Sequence, residues 1–119
     1  MAKAVGIGGI FYKVADPVAT RAWYAEHLGL STDDFGSTFI GDGMTIWSPF
    51  TATTDYFGPG DQPFMVNFRV DDLDALLAEL ATKGVQTIGT PLDESYGKFG
   101  WIVDCDGFKV ELWEPKGSF

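Results

Sequence analysis

The 119-residue chain has one cysteine, Cys105, and one histidine, His27. A single thiol cannot close an intrachain disulfide, and one thiol with one imidazole falls short of the four ligands of a structural zinc site. Cations are also scarce. Eight Lys and Arg against 17 Asp and Glu give a formal charge of −9 and an isoelectric point near 4.2. Such a balance excludes an extended nucleic-acid surface, which needs clustered cations to replace phosphate counterions, and it favours neutral or cationic partners. No apolar run approaches the roughly 18 to 20 residues that span a bilayer, and the N-terminus shows no charged segment leading into an apolar stretch and a cleavage site. A cytoplasmic protein that does not engage membranes is the expectation. What the chain has in quantity is apolar and aromatic material, 45% apolar with 10 Phe, 4 Tyr and 4 Trp, enough for one ordered domain with a sizeable core.

Strand and helix signals alternate in a repeated order. Residues 6–14 read as a strand, Asp16-Pro17 as a helix cap with proline at the first position, and Val18, Ala22, Ala25 and Leu28 recur at helical spacing before Gly29. Segments near 37–40 and 43–47 then read as a hairpin about Gly41-Asp42-Gly43, and residues 48–63, with three of the six prolines, as a connection. Beyond it the order repeats. Residues 64–70 form a strand, Asp71-Asp72 a cap, and Leu73, Leu76, Leu77 and Leu80 the apolar stripe of a helix stopped by Gly84. Residues 85–88, 99–104 and 108–113 supply three more strands. Lys13-Val14-Ala15-Asp16 matches Arg69-Val70-Asp71-Asp72, and Thr45-Ile46-Trp47-Ser48-Pro49 matches Glu111-Leu112-Trp113-Glu114-Pro115. Two βαβββ modules follow, at about 1–50 and 63–115 with a linker at about 51–62.

With the strand and turn at Gly8 to Asp16, Trp23-Tyr24 and Leu28-Gly29-Leu30, Val70-Asp71-Asp72-Leu73, and Asp104-Cys105-Asp106-Gly107 before Val110 to Pro115, the chain resembles the vicinal oxygen chelate superfamily. That superfamily contains glyoxalase I, bleomycin-resistance proteins and extradiol dioxygenases. The resemblance covers nearly all of residues 1–119 and implies a single α+β domain: two βαβββ modules whose mixed sheets curl into a cup, with helices outside and a homodimer as the assembly. It also implies four positions at which metal-dependent members carry ligands. Counting seven residues back from the capping aspartates gives Gly9 and Met65, and the last strands give Glu111 and, through the internal repeat, Thr45. Only Glu111 is a ligand for a hard cation, and one carboxylate does not retain a divalent metal. No metal and no cofactor is therefore expected. His27 falls in a last helical turn, where a cation at the negative end of the helix dipole is the ordinary explanation.

If Gly9 and Met65 face the cup as the resemblance implies, strand alternation places Phe11, Lys13, Met65, Asn67, Arg69, Glu111 and Trp113 on that face, joined by Thr45, with Trp47 at the position equivalent to Trp113 and the two tryptophans read as rims of the cup or core fillers. Tyr96, Phe99 and Trp101 are read as a glycine-hinged aromatic loop that can close over a ligand or cover the core, and Tyr56-Phe57 as a site edge or a subunit contact. Glu111 either meets a ligand or pairs with Arg69 or Lys13. Other catalytic patterns are missing. Gly6-Ile7-Gly8-Gly9 lacks the features of a dinucleotide fingerprint, Asp93-Glu94 reads as a solvated loop pair, Cys105 lies between two acids, and no serine has a histidine partner. The expectation is a metal-independent protein that binds a small, partly aromatic or cationic organic molecule. The alternative is a glyoxalase-like lyase or isomerase on a carbonyl compound, with Glu111 as general base and Arg69 or Asn67 holding the oxyanion.

Overall fold

Strand β1 (Ala4–Val14) leads into helix α1 (Pro17–Leu28), then β2 (Thr32–Asp33), β3 (Gly36–Ile40) and β4 (Met44–Thr51); β5 (Phe64–Val70) leads into α2 (Leu73–Thr82), then β6 (Leu92–Glu94), β7 (Gly97–Val103) and β8 (Lys109–Pro115). This is a computed structural model, which describes residues 2–41, 43–58 and 61–117. The same strand-helix-three-strand order occurs twice. Asp16 and Asp72 cap their helices as expected, each accepting from a backbone N–H three residues on, Ala19 and Ala75, at 3.1 Å. Gly29 and Gly84 take left-handed conformations, with φ of 70° and 76°, where the helices stop.

The strands form one mixed eight-stranded sheet in the order β2-β3-β4-β1-β5-β8-β7-β6. β1 runs parallel to β4 and antiparallel to β5, and β5 runs parallel to β8, so the β1–β5 pair joins the two halves. Both helices lie on one face. Leu76, Leu77 and Leu80 of α2 pack with buried Leu73 onto Val70, Val110 and Leu112, each such leucine stabilising the fold by about 1.5–3 kcal/mol to the extent that it is buried. Gly100 lets α2 come close, since a Cβ there would meet Leu77 at 3.1 Å. α1 is held differently from its expected stripe. Val18 and Leu28 are exposed and no residue of the helix is buried; instead Tyr24 packs on Trp47 with centroids 4.5 Å apart.

Several boundaries depart from the sequence pattern. β4 continues through Ser48, Pro49 and Phe50 to Thr51, which the proline content had assigned to the connection; Pro49 is accommodated beside Tyr12 in the parallel β1–β4 pair. Residues 85–88 make only an isolated bridge between Thr87 and Ile102, and the edge strand is β6 instead. Asp93 and Glu94 belong to that strand, where Asp93 pairs with Lys116 rather than lying on a free loop. Phe99 and Trp101 belong to β7 and only Tyr96 to a turn. The β3–β4 hairpin forms, but Asp42 at its tip lies outside the described residues, as do Pro59 and Gly60 of the connection.

Candidate functional site

On the face away from the helices one cross-strand row runs Ile46, Gly9, Asn67, Glu111 and Trp101. Residues in register share a face, so Asn67 and Trp101, on the strands either side of β8, flank Glu111. Its carboxylate is only 3% exposed and is held by three donors. Asn67 Nδ2 donates to Oε1 at 2.6 Å, Trp101 Nε1 donates to Oε2 at 2.8 Å, and the Tyr56 hydroxyl also donates to Oε2. Burial is tolerable for a charge only when hydrogen bonds replace its water. Among the described residues no cation pairs with Glu111: the ion pairs are Lys83–Glu79, Lys98–Asp74 and Lys116–Asp93. Pairing with Arg69 or Lys13, one of the two readings of the sequence, is not formed.

Tyr56 reaches Glu111 from the segment between β4 and β5. Its ring stacks on Phe50 at 5.7 Å and 9° and meets Trp101 edge-on at 6.1 Å, while the next residue, Phe57, is buried in the core with Phe11, Met65 and Trp101. Burial first, and then the negative charge of Glu111, push the Tyr56 hydroxyl far above the usual phenol range, so it stays a donor. Lys109 Nζ lies over the Tyr56 ring at 4.9 Å and the Trp101 ring at 5.5 Å. Burial draws the Lys109 ammonium below its ordinary value, against the opposing pull of Glu111 and Asp55.

Glu111 opens onto a cavity of about 580 Å³, within the range of small-molecule sites. Its walls are aromatic, with Phe11, Phe35, Phe50, Tyr56, Tyr96, Phe99 and Trp113, and its lining includes the acids Asp33 and Glu111 and no Lys, Arg or His. Of the residues expected here from sequence, Phe11, Glu111 and Trp113 line it, as do Tyr96 and Phe99, read as an aromatic loop, and Tyr56, read as a site edge or a subunit contact. Asn67 and Trp101 stand behind, as holders of Glu111, and Met65 is fully buried in the core beneath Phe11. Arg69 is elsewhere: it donates to the Met44 carbonyl at 2.6 Å, in space left by Gly6 and Gly43, where any Cβ would collide with its guanidinium. Thr45 and Trp47 are on the opposite face. Thr45 Oγ1 donates to the Ile7 carbonyl at 3.1 Å and Trp47 Nε1 to the Tyr12 hydroxyl at 3.2 Å.

The last correction has a geometric cause. Aligning Trp47-Ser48-Pro49 with Trp113-Glu114-Pro115 makes Thr45 the counterpart of Glu111. The sheet register instead pairs Phe11 with Ser48 as it pairs Asn67 with Glu111, so the counterpart is Ser48, an odd number of residues away, and every side chain changes face. Ile46, Ser48 and Phe50 therefore line the cavity. Alternation counted from Ser48 would have found them; Phe35 and Tyr56 carry no periodic signal.

A divalent metal does not fit these residues. Gly9 and Met65 offer no hard ligand, the Ser48 hydroxyl already donates to the Phe35 carbonyl, and Glu111 is committed to three protein donors. Among the described residues no three His, Cys, Asp or Glu side chains converge to hold a metal. His27 Nδ1 donates to the Trp23 carbonyl at 2.9 Å and its ring stacks on Trp23 at 4.4 Å, and Cys105 is exposed. No helix among the described residues is long and apolar enough to cross a membrane.

Solved structures with this fold include methylmalonyl-CoA epimerase from Mycobacterium tuberculosis, at 24% identity and a TM-score of 0.65, covering 96% of this chain and 90% of that one. A variant of the Streptomyces coelicolor methylmalonyl-CoA epimerase in complex with 2-nitronate-propionyl-CoA matches at 18% identity and a TM-score of 0.71, covering 97% and 100%. At these identities the likeness establishes the fold. Comparison with functionally curated proteins gives no match. The sequence pattern of one family matches residues 6–112, almost the whole of the strand, helix and site framework described above, and the chain therefore belongs to the glyoxalase/bleomycin resistance protein/dioxygenase superfamily.

Proposed function

We propose that this protein binds a small, partly aromatic organic molecule in the cavity above Glu111, without a metal. The observation that carries the reading is a buried carboxylate, fully supported by protein donors, opening onto an aromatic cavity of about 580 Å³. In this reading the two βαβββ halves act as one domain whose concave side is the cup, with Tyr56 of the linking segment as part of its wall. Acyl-CoA, named for the epimerases of like fold, is a poor match, because its phosphates need cations and the lining has none. A homodimer is part of the proposal and is read by light scattering.

The enzymatic alternative, with Glu111 as general base, loses both oxyanion holders assigned to it from sequence. An enolate formed in the cavity needs a donor or cation opposite the base, yet Arg69 is spent on Met44 outside the lining and the Asn67 amide donates to Glu111 itself. Binding is therefore the function the geometry supports best. The experiment is a thermal-shift screen of drugs and aromatic metabolites against the full chain. Stabilisation by at least one compound, lost on Glu111→Gln, is the expected result. No shift with any compound overturns the proposal.

A further inference from the structure

Lys109 stands two residues before Glu111 on β8, and so on the same face of the sheet. Its half-buried ammonium makes no ion pair with a carboxylate among the described residues. What it meets instead are the two groups that hold Glu111 Oε2. Nζ lies over the Tyr56 ring at 4.9 Å and over the Trp101 ring at 5.5 Å, and it donates to the Tyr56 carbonyl at 2.5 Å. The Tyr56 hydroxyl and Trp101 Nε1 both donate to Oε2. Each ring thus meets the ammonium with its face and the carboxylate with its polar edge. A cation over an aromatic face draws electron density from the ring, which strengthens the O–H or N–H at its edge as a donor.

The arrangement is fastened by the protein itself. Gln62, on the segment that carries Tyr56, clasps the Lys109 backbone on both sides: Nε2 donates to its carbonyl and Oε1 accepts from its N–H, each at 2.9 Å. Phe57, next to Tyr56, is fully buried in the core. Lys109 is not part of the cavity lining, so its charge stays behind the floor.

A ligand therefore meets a carboxylate whose charge is already offset from behind. A carboxylate offers about four acceptor positions; Oε2 receives two donors and Oε1 one, which leaves one position on Oε1. Asp33, the other acid on the lining, is exposed, and water screens it. An anion would face two acids and no cation. Resting on the binding function proposed above, we infer that Lys109 is the counter-charge of Glu111, acting through the rings of Tyr56 and Trp101, and that the site it balances selects a neutral ligand whose O–H or N–H donates to Glu111.

Three probes share one ring system and differ in what they offer: 2-naphthol a neutral donor, 2-methoxynaphthalene no donor, and 2-naphthylmethylamine an ammonium. Each is titrated by NMR into the full chain carrying isotope-labelled tryptophan. Wild type is expected to bind 2-naphthol at least about tenfold more tightly than either other probe. Lys109→Met keeps an apolar stem and removes the charge; it is expected to shift the preference between amine and naphthol at least about tenfold toward the amine. Lys109→Gln carries the same expectation. Lys109→Arg, whose guanidinium also stacks on aromatic faces, is expected to keep the wild-type order. The Trp101 indole N–H resonance is expected to move upfield in both uncharged variants and to hold its place in Lys109→Arg, with Trp47 as the unmoved reference. An unchanged probe order in Lys109→Met, or an equal loss of affinity for all three probes, makes Lys109 a packing residue and overturns the counter-charge. Equal or tighter binding of the amine or of 2-methoxynaphthalene by wild type overturns the ligand class. Failure of all three probes overturns the inference, while a positive library screen would still uphold ligand binding in the cavity.

Discussion

Replacing Tyr56 by Phe removes one hydroxyl and little else. The ring keeps its stack on Phe50 at 5.7 Å and its place beneath the Lys109 ammonium at 4.9 Å, so the packing contribution is retained. What is lost is a hydrogen bond to a carboxylate that is 3% exposed. Bonds to charged groups contribute about 1.5–3 kcal/mol, and water cannot replace this one without opening the site. For a chain of this size that corresponds to a fall in melting temperature of about 5–12 °C. Chemical denaturation of wild type, Tyr56→Phe, Glu111→Gln and the double variant closes a mutant cycle, and the coupling between the two positions is expected to be about 1.5–3 kcal/mol. A Tyr56→Phe variant as stable as wild type, with coupling below about 0.5 kcal/mol, would refute the claim that Tyr56 supports the buried charge.

The Tyr56 phenol, raised by burial and by Glu111, contributes stability that is fully present below pH 10 and is lost as pH rises further, because the unfolded chain ionises there and the folded one does not. Spectrophotometric titration is expected to show Tyr56 resisting ionisation until the protein unfolds, with Tyr12, raised by burial and Tyr24, also late; four tyrosines titrating together near pH 10 in the native protein would contradict this. Gly8→Ala forces a Cβ into Asn67 Oδ1 and against Trp113, so it is expected to displace a holder of Glu111, weakening ligand binding and lowering the melting temperature; intact binding in a folded variant would refute it. Trp47→Phe removes the bond to Tyr12 on the helix side and is expected to cost about 0.5–1.5 kcal/mol with ligand affinity unchanged, whereas a tenfold loss of affinity would put Trp47 back in the site.

Helix starts and stops were legible because they are local: Asp16 and Asp72 need only the N–H groups of the following turn, and Gly29 and Gly84 only their own φ. The duplication was legible for the same reason, carried by two caps at matching spacing. Glu111 could be found because the family resemblance marks a position on the last strand, and the register of β8 against β5 does bring that position to the cavity. The first half of the cavity could not be found from the Trp-x-Pro match, because the two tryptophans face opposite sides of the sheet, and only the pairing of Phe11 with Ser48 reveals that. Tyr56 was read as a site edge or a subunit contact, but its bond to Glu111, 55 residues away, leaves no local signal, and the short edge strands β2 and β6 are too brief to show a period.

The central claim is that this site works through its own donors and aromatic walls rather than through a metal. The most direct test is metal analysis of the purified chain, repeated after incubation with excess zinc, nickel, manganese and iron under reducing conditions and removal of the unbound ion. The account expects no metal retained at a stoichiometric level, because Glu111 stands alone among the ligand positions and is already committed to Tyr56, Asn67 and Trp101. About one metal ion per chain, held through removal of the excess and lost in Glu111→Gln, would contradict it.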